Sequence, residues 1–285
     1  MNSARFVNAT LAGGLAAAFA AVMLFTTTPA FADTLRIGGT GGALGGMNLL
    51  AKAFSERHPQ TKVEVVAGLG SSGGIKAVMA GAIDVGVASR ALRDKEREAG
   101  AVARDYAKTA FVLATRADNQ TDNVTLDQLA EICQGNMVSW PDGSPVRLVL
   151  RPKTDSDTAI LADLSPSIAA ALQTAHGRAG LRIAPTDQDA ADAIEDLPGS
   201  IGTSTLALIR AEGRAIKPLA LDGVRPTAKN VQNGDYALFK TFRIVTGKKA
   251  LSPIARRFVD FVWSPEGQRI LSEAGHIGIP IELGS

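Results

Sequence analysis

The chain has 285 residues, long enough for two modest cores rather than one minimal one. Thirty Lys and Arg against 28 Asp and Glu leave a net charge of +2, and the basic residues are scattered, which argues against a nucleic-acid binder. The single cysteine, Cys133, excludes an intrachain disulfide and a cysteine-rich zinc site, while 5% aromatics against 29 glycines favours backbone approach to a small ligand over a stacking platform.

Residues 1–32 read as an export signal. Arg5 supplies the positive start, 9–25 is an apolar, alanine-rich stretch, and 26–29 breaks it. Ala30-Phe31-Ala32 is then a small-residue cleavage site before Asp33. A retained membrane anchor is the competing reading of that stretch; its helix-breaking end favours cleavage after Ala32 and a periplasmic location. No cysteine lies near the cleavage site, which argues against a lipid anchor there.

Strand and helix patterns then alternate. A short strand at 34–37 leads into the glycine-rich 38–46, after which Met47, Leu50, Ala51 and Phe54 fall at helical spacing. A strand at 62–67 leads into 68–74 and a helix over 75–80. Buried strands are expected at 83–88 and 109–115. Thr125 and Gln128 form a capping box that opens a helix over Leu126–Gln134. A strand at 146–150 precedes one helix over 157–174, and segments 187–196, 200–203, 216–221 and 236–245 continue the alternation. Ser264-Pro265-Glu266 supplies the cap and first turn of the last helix. The pattern predicts an α/β fold without internal repeats.

Three segments share one design, in which a strand ends, small polar residues turn and a helix begins. They are Gly38-Gly39-Thr40-Gly41-Gly42, Gly70-Ser71-Ser72-Gly73-Gly74, and the loop from Arg151 through Thr154 and Ser156 to Thr158. Helix N-termini present unpaired N–H groups, glycines admit a ligand to them, and hydroxyls add neutral donors, which together suit a small anion. Each segment taken alone also reads as an ordinary turn, or as an N-cap cluster with solvated charges.

Other chemistries fit less well. Gly70-Ser71-Ser72-Gly73-Gly74 formally matches the Gly-x-Ser-x-Gly elbow of serine hydrolases, with Ser72 as nucleophile, but His176 and His276 lie in no recognisable motif. Leu44 stands where a dinucleotide-binding fingerprint needs its third glycine, and Phe242 where a phosphate-binding loop of the Gly-Lys-Thr kind needs its first. His58, His176 and His276 have no metal-ligand spacing. Cys133, Trp140 and Trp263 are expected to pack. No catalytic residue, metal or cofactor is expected.

The segment Gly70-Ser71-Ser72-Gly73-Gly74-Ile75-Lys76-Ala77, followed by Gly81-Ala82-Ile83-Asp84-Val85-Gly86-Val87-Ala88-Ser89-Arg90, resembles the PstS-like phosphate-binding proteins of ABC transporters, type II periplasmic binding proteins. Ala193-Ile194-Glu195-Asp196-Leu197-Pro198-Gly199-Ser200-Ile201-Gly202 is similar to a later segment of that family. So is Asp222-Gly223-Val224-Arg225-Pro226-Thr227 together with Asn230 and Asn233-Gly234-Asp235-Tyr236-Ala237-Leu238.

The resemblance implies two α/β lobes joined by two crossing strands, with phosphate or a similar oxyanion closed between them and passed to a membrane permease. Lobe one is expected at 33–115 plus 241–285, lobe two at 116–240, with hinges near Thr115, Arg116 and residues 240–243, and the protein a monomer. Thr40, Gly41, Ser71, Ser72 and Ser89 are the implied contacts of the first lobe. Arg151, Thr154, Ser156 and Thr158 are those of the second. Asp155 and Asp157 depart from the pattern, standing where glycines are expected. Either they compete with an anion at the helix end, or Asp157 caps the helix and points away. A sensor without transport is the alternative role in the same class.

Overall fold

The computed structural model describes residues 33–280, so the expected export signal lies outside the described residues. Strand β1 (Asp33–Gly39) runs into helix α1 (Gly41–Arg57), which begins inside the glycine cluster rather than after it. The reason is packing: a Cβ at Gly45 would meet Ala211 at 2.8 Å, and one at Gly46 would meet His276 at 2.8 Å. Tertiary contact overrides the poor helix propensity of glycine here.

Strand β2 (Thr61–Val66), helix α2 (Gly70–Met79), strand β3 (Val85–Ala88) and helix α3 (Asp94–Glu98) follow. Again the helix starts earlier than expected, which places Ser71 and Ser72 in the first turn of α2. Strand β4 (Val102–Arg116) is longer than its buried middle suggested. After β5 (Asn123–Val124), α4 (Leu126–Gln134) carries the expected box: Gln128 N donates to Thr125 Oγ1 at 3.1 Å and Thr125 N to Gln128 Oε1 at 2.9 Å.

Beyond β6 (Arg147–Leu150), the single expected helix is two, α5 (Ser156–Ala162) and α6 (Pro166–Gly177). Pro166 cannot donate to continue α5, and the Ser165 hydroxyl caps the new helix by accepting from Ile168 N at 3.1 Å. Then come β7 (Arg182–Ile183), α7 (Asp187–Asp196), β8 (Ser200–Thr205), α8 (Leu206–Glu212), β9 (Ile216–Pro218) and β10 (Ala220–Leu221). The chain closes with α9 (Ala228–Gln232), β11 (Phe239–Thr246), α10 (Pro253–Trp263), α11 (Pro265–Glu273) and β12 (Ile277–Gly278).

The main sheet runs β2-β1-β3-β11-β4-β8-β6-β7. Strands β2, β1 and β3 are parallel, as are β8, β6 and β7; β11 and β4 lie antiparallel between the two sets. Each set packs its own core. One holds Leu35, Met47, Phe54, Tyr106, Phe242 and Phe258, the other Phe111, Leu129, Ile168, Ile194, Ile201 and Leu238. Cys133 and Trp140 are buried in the second, and Trp140 Nε1 donates to Gly199 O at 2.9 Å.

Strand β4 serves both cores: the first ends at Ala107 and the second begins at Ala110. Strand β11 gives Phe242 and Ile244 to the first core, while Leu238, just before it, belongs to the second. The expected crossing at Thr115 and Arg116 falls beyond the change on β4. Thr115 is buried, its hydroxyl donating to Ser200 O at 2.6 Å, and Arg116 pairs with Ile216 of β9.

Candidate binding cleft

Parallel strands β1 and β3 end side by side, with Gly39 opposite Val87, so Thr40 and Ser89 emerge together at their carboxyl ends. Ligands of open parallel sheets bind at that edge. Helix α2 packs directly onto it, because a Cβ at Gly74 would meet Gly39 Cα at 2.7 Å. That close approach brings Ser71 to the same spot. Ser89 N donates to Ser71 Oγ at 3.0 Å, and the Ser89 hydroxyl lies 3.1 Å from those of both Ser71 and Thr40. Three hydroxyls thus form one connected chain.

Arg90 follows Ser89 and is held flat by Glu96, with Nη1 and Nη2 donating to the carboxylate at 2.9 and 2.8 Å. Nη2 also donates to Ser72 Oγ at 3.0 Å. Hydrogen bonding from Arg90 is the main reason the Glu96 carboxyl is held down at about 2.

The facing wall comes from the second core. Arg151 leaves the end of β6 only 5% exposed, donating through Nη1 to Ala184 O at 2.6 Å and through Nη2 to Asp155 Oδ2 at 3.0 Å. Asp155 is the cap of α5, where it accepts from Asp157 N at 2.9 Å. Burial, and then the neighbouring Asp157, push the Asp155 carboxyl up.

Asp157 lies behind this wall and not in it. Its side chain is fully buried, paired with Lys240 of β11, and it accepts from Thr203 Oγ1 at 2.9 Å. Burial opposes its charge, yet Lys240 and Arg151 hold it ionised below the usual carboxylate range. Burial likewise opposes the Lys240 charge, which Asp157 and Asp187 more than restore. Each reading of these aspartates from sequence is right in part: Asp157 points away from the cleft but does not cap the helix, and Asp155 is the carboxylate that takes the helix-end donor.

Between the walls lies a cavity of about 550 Å³. Thr40, Gly41, Ser71, Ser72, Ser89, Arg151, Thr154 and Ser156 all line it. Thr158 does not. Its hydroxyl turns back onto the chain, donating to Pro152 O at 2.9 Å, and it borders a separate small apolar void with Leu129 and Cys133.

Sequence reasoning missed Arg90 and Arg93, which line the first wall, and Asp187 and Gln188, which line the second. Asp187 Oδ2 accepts from Gly42 N at 3.1 Å, and Gln188 Nε2 donates to Gly41 O at 3.0 Å. A carboxylate therefore already satisfies the N-terminus of α1. Helix α2 has no acidic residue in its first turn.

The hydrolase reading lacks a base. Neither histidine lines the cleft. His176 places its ring nitrogens 2.8 and 2.9 Å from Leu172 O and Arg151 O, and His276 is buried with Nδ1 3.1 Å from Leu271 O.

The arrangement is a cleft lined by hydroxyl and guanidinium groups, with walls that come from the two cores. Residues 26–266 match the PBP superfamily domain, and the chain belongs to that superfamily. The phosphate-binding protein PstS of Bacillus subtilis is 26% identical over 236 residues, covering 80% of this chain and 75% of its own. PstS of Borreliella burgdorferi is 25% identical over 232 residues, covering 79% and 83%. A Clostridium perfringens protein, described as a phosphate ABC transporter substrate-binding protein and solved with bound phosphate, superposes with a TM-score of 0.72. It is 24% identical and covers 86% of this chain and 99% of that one. The fold is the type II periplasmic-binding-protein fold, and these relatives are binding proteins, not enzymes.

Proposed function

We infer that the chain is an extracytoplasmic solute-binding protein that captures phosphate, or an oxyanion of like size, for an ABC permease. One observation carries this reading: the Thr40–Ser89–Ser71 hydroxyl chain faces Arg151 across a cavity that also receives Arg90 and Arg93. Hydroxyl and guanidinium donors converge there on a space sized for a small anion, and hydrogen bonds to a charged group contribute about 1.5–3 kcal/mol each.

The export signal at 1–32 and relatives that are phosphate-binding proteins support a periplasmic location. No helix among the described residues is long and apolar enough to cross a membrane. The two bodies would close about β4, which passes from one core to the other, and the segment between Leu238 and Phe242 that leads back along β11. A thermal-shift panel of phosphate, sulfate, molybdate, tungstate, phosphonates and small carboxylates tests the ligand class. Stabilisation by phosphate is expected, and a protein stabilised only by carboxylates, or by none of the panel, would overturn it.

A further inference from the structure

Lys240 touches no part of the cleft surface, yet it sits at the point where everything charged behind the second wall meets. Its ammonium is 1% exposed, pairs with Asp157, and lies 3.8 Å from Asp187 Oδ1. It also rests over the Phe111 ring at 5.2 Å, so no water neutralises it from that side. Asp157 faces a second cation as well: Arg151 Nε is 4.0 Å from Asp157 Oδ2, buried and without a hydrogen-bond partner.

Two cations therefore share one buried carboxylate, and only Arg151 reaches the cleft. We propose that Lys240 is a positioning residue for anion capture: by taking the Asp157 charge, it keeps the Arg151 guanidinium, held by Ala184 O and Asp155, at the cleft wall instead of drawn back onto Asp157. Without Lys240, Asp157 would keep Arg151 as its one cation and draw it the remaining distance into a full ion pair, away from an incoming anion. Lys240 lies on β11 between Leu238 of the second core and Phe242 of the first, so the same ammonium ties the cleft wall to the segment that joins the two cores.

This inference rests on the oxyanion reading, and the experiment separates the two. Phosphate affinity is measured by calorimetry from pH 5 to 8 for the wild type, K240M, D157N and the K240M/D157N pair, with thermal unfolding of each. The charged groups facing Asp157 are Lys240, Arg151, Asp155 and Asp187. Lys240→Met should weaken phosphate binding about tenfold or more at pH 7.5. The ratio to wild type should shrink toward pH 5 as Asp157, buried and left with Arg151 alone, takes a proton and releases that guanidinium. D157N should bind at least as tightly as the wild type, and the pair should return to within about threefold of it.

K240M that binds like the wild type at all pH values, or a pair that fails to recover, overturns the role of Lys240. Should K240M not fold, the pair and D157N decide the same question, since both remove the stranded charge. If the wild type itself ignores phosphate, the ligand assignment fails. Unfolding then still judges the pairing: destabilisation by K240M that Asp157→Asn relieves upholds it, and no relief refutes it.

Discussion

Ser89 joins Thr40 and Ser71 because β1 and β3 end in register and α2 lies against them. Hydroxyls both donate and accept, so the chain can turn all its donors toward an anion on arrival and satisfy itself when empty. Ser71→Ala should weaken phosphate binding about tenfold, the loss of one charge-assisted bond, and Ser156→Ala should do the same on the facing wall. Calorimetric Kd values unchanged in both variants would remove these residues from the site. The small polar residues lining the cleft were legible in the sequence because three glycine and hydroxyl clusters recur between strand and helix, although each alone reads as an ordinary turn. Arg90 and Lys240 were not. Their roles depend on Glu96 and Asp157, and nothing in local sequence states which carboxylate a cation will meet.

The same logic governs the elements. Alternating strands and helices, the Thr125 capping box and the Ser264-Pro265 start were readable because caps and periodicity are local. The starts of α1 and α2 were not, since their glycines answer to neighbours distant in sequence. Gly74 shows which effect wins. Alanine there gains about 1 kcal/mol of helix propensity, yet its Cβ would sit 2.7 Å from Gly39 Cα and 2.9 Å from Gly38 O. Backbone cannot yield as a flexible side chain does, and overpacking costs about 1–3 kcal/mol. Gly74→Ala should therefore destabilise the protein by about 1–2 kcal/mol in urea unfolding, and by lifting α2 it should also weaken phosphate binding. A stabilised variant would mean that the helix gives way without cost.

At the scale of the whole molecule, the near-zero net charge is reproduced in the cleft walls and directly behind them. Arg90 is balanced by Glu96, Arg151 by Asp155, and Lys240 by Asp157, so the site needs no basic surface. Stability should follow pH through His276. Burial lowers its ring to about 4 from an ordinary 6.5, so the unfolded chain binds a proton that the folded one refuses between those values. This contribution is present above pH 6.5 and is lost as pH falls toward 4. His276→Asn should flatten that part of the thermal-stability profile, and an unchanged slope would assign it to other groups. Two cores were foreseeable from length, but their boundary was not: β4 is one continuous strand, and only the packing shows that it changes core between Ala107 and Ala110. The central claim is that an oxyanion is held by the hydroxyl chain of the first wall. It is tested most directly by titrating phosphate into the wild type and the Ser71→Ala/Ser89→Ala pair in a calorimeter. One site of micromolar affinity or better is predicted for the wild type, weakened roughly a hundredfold in the pair; no heat from the wild type, or the same Kd in both, would contradict it.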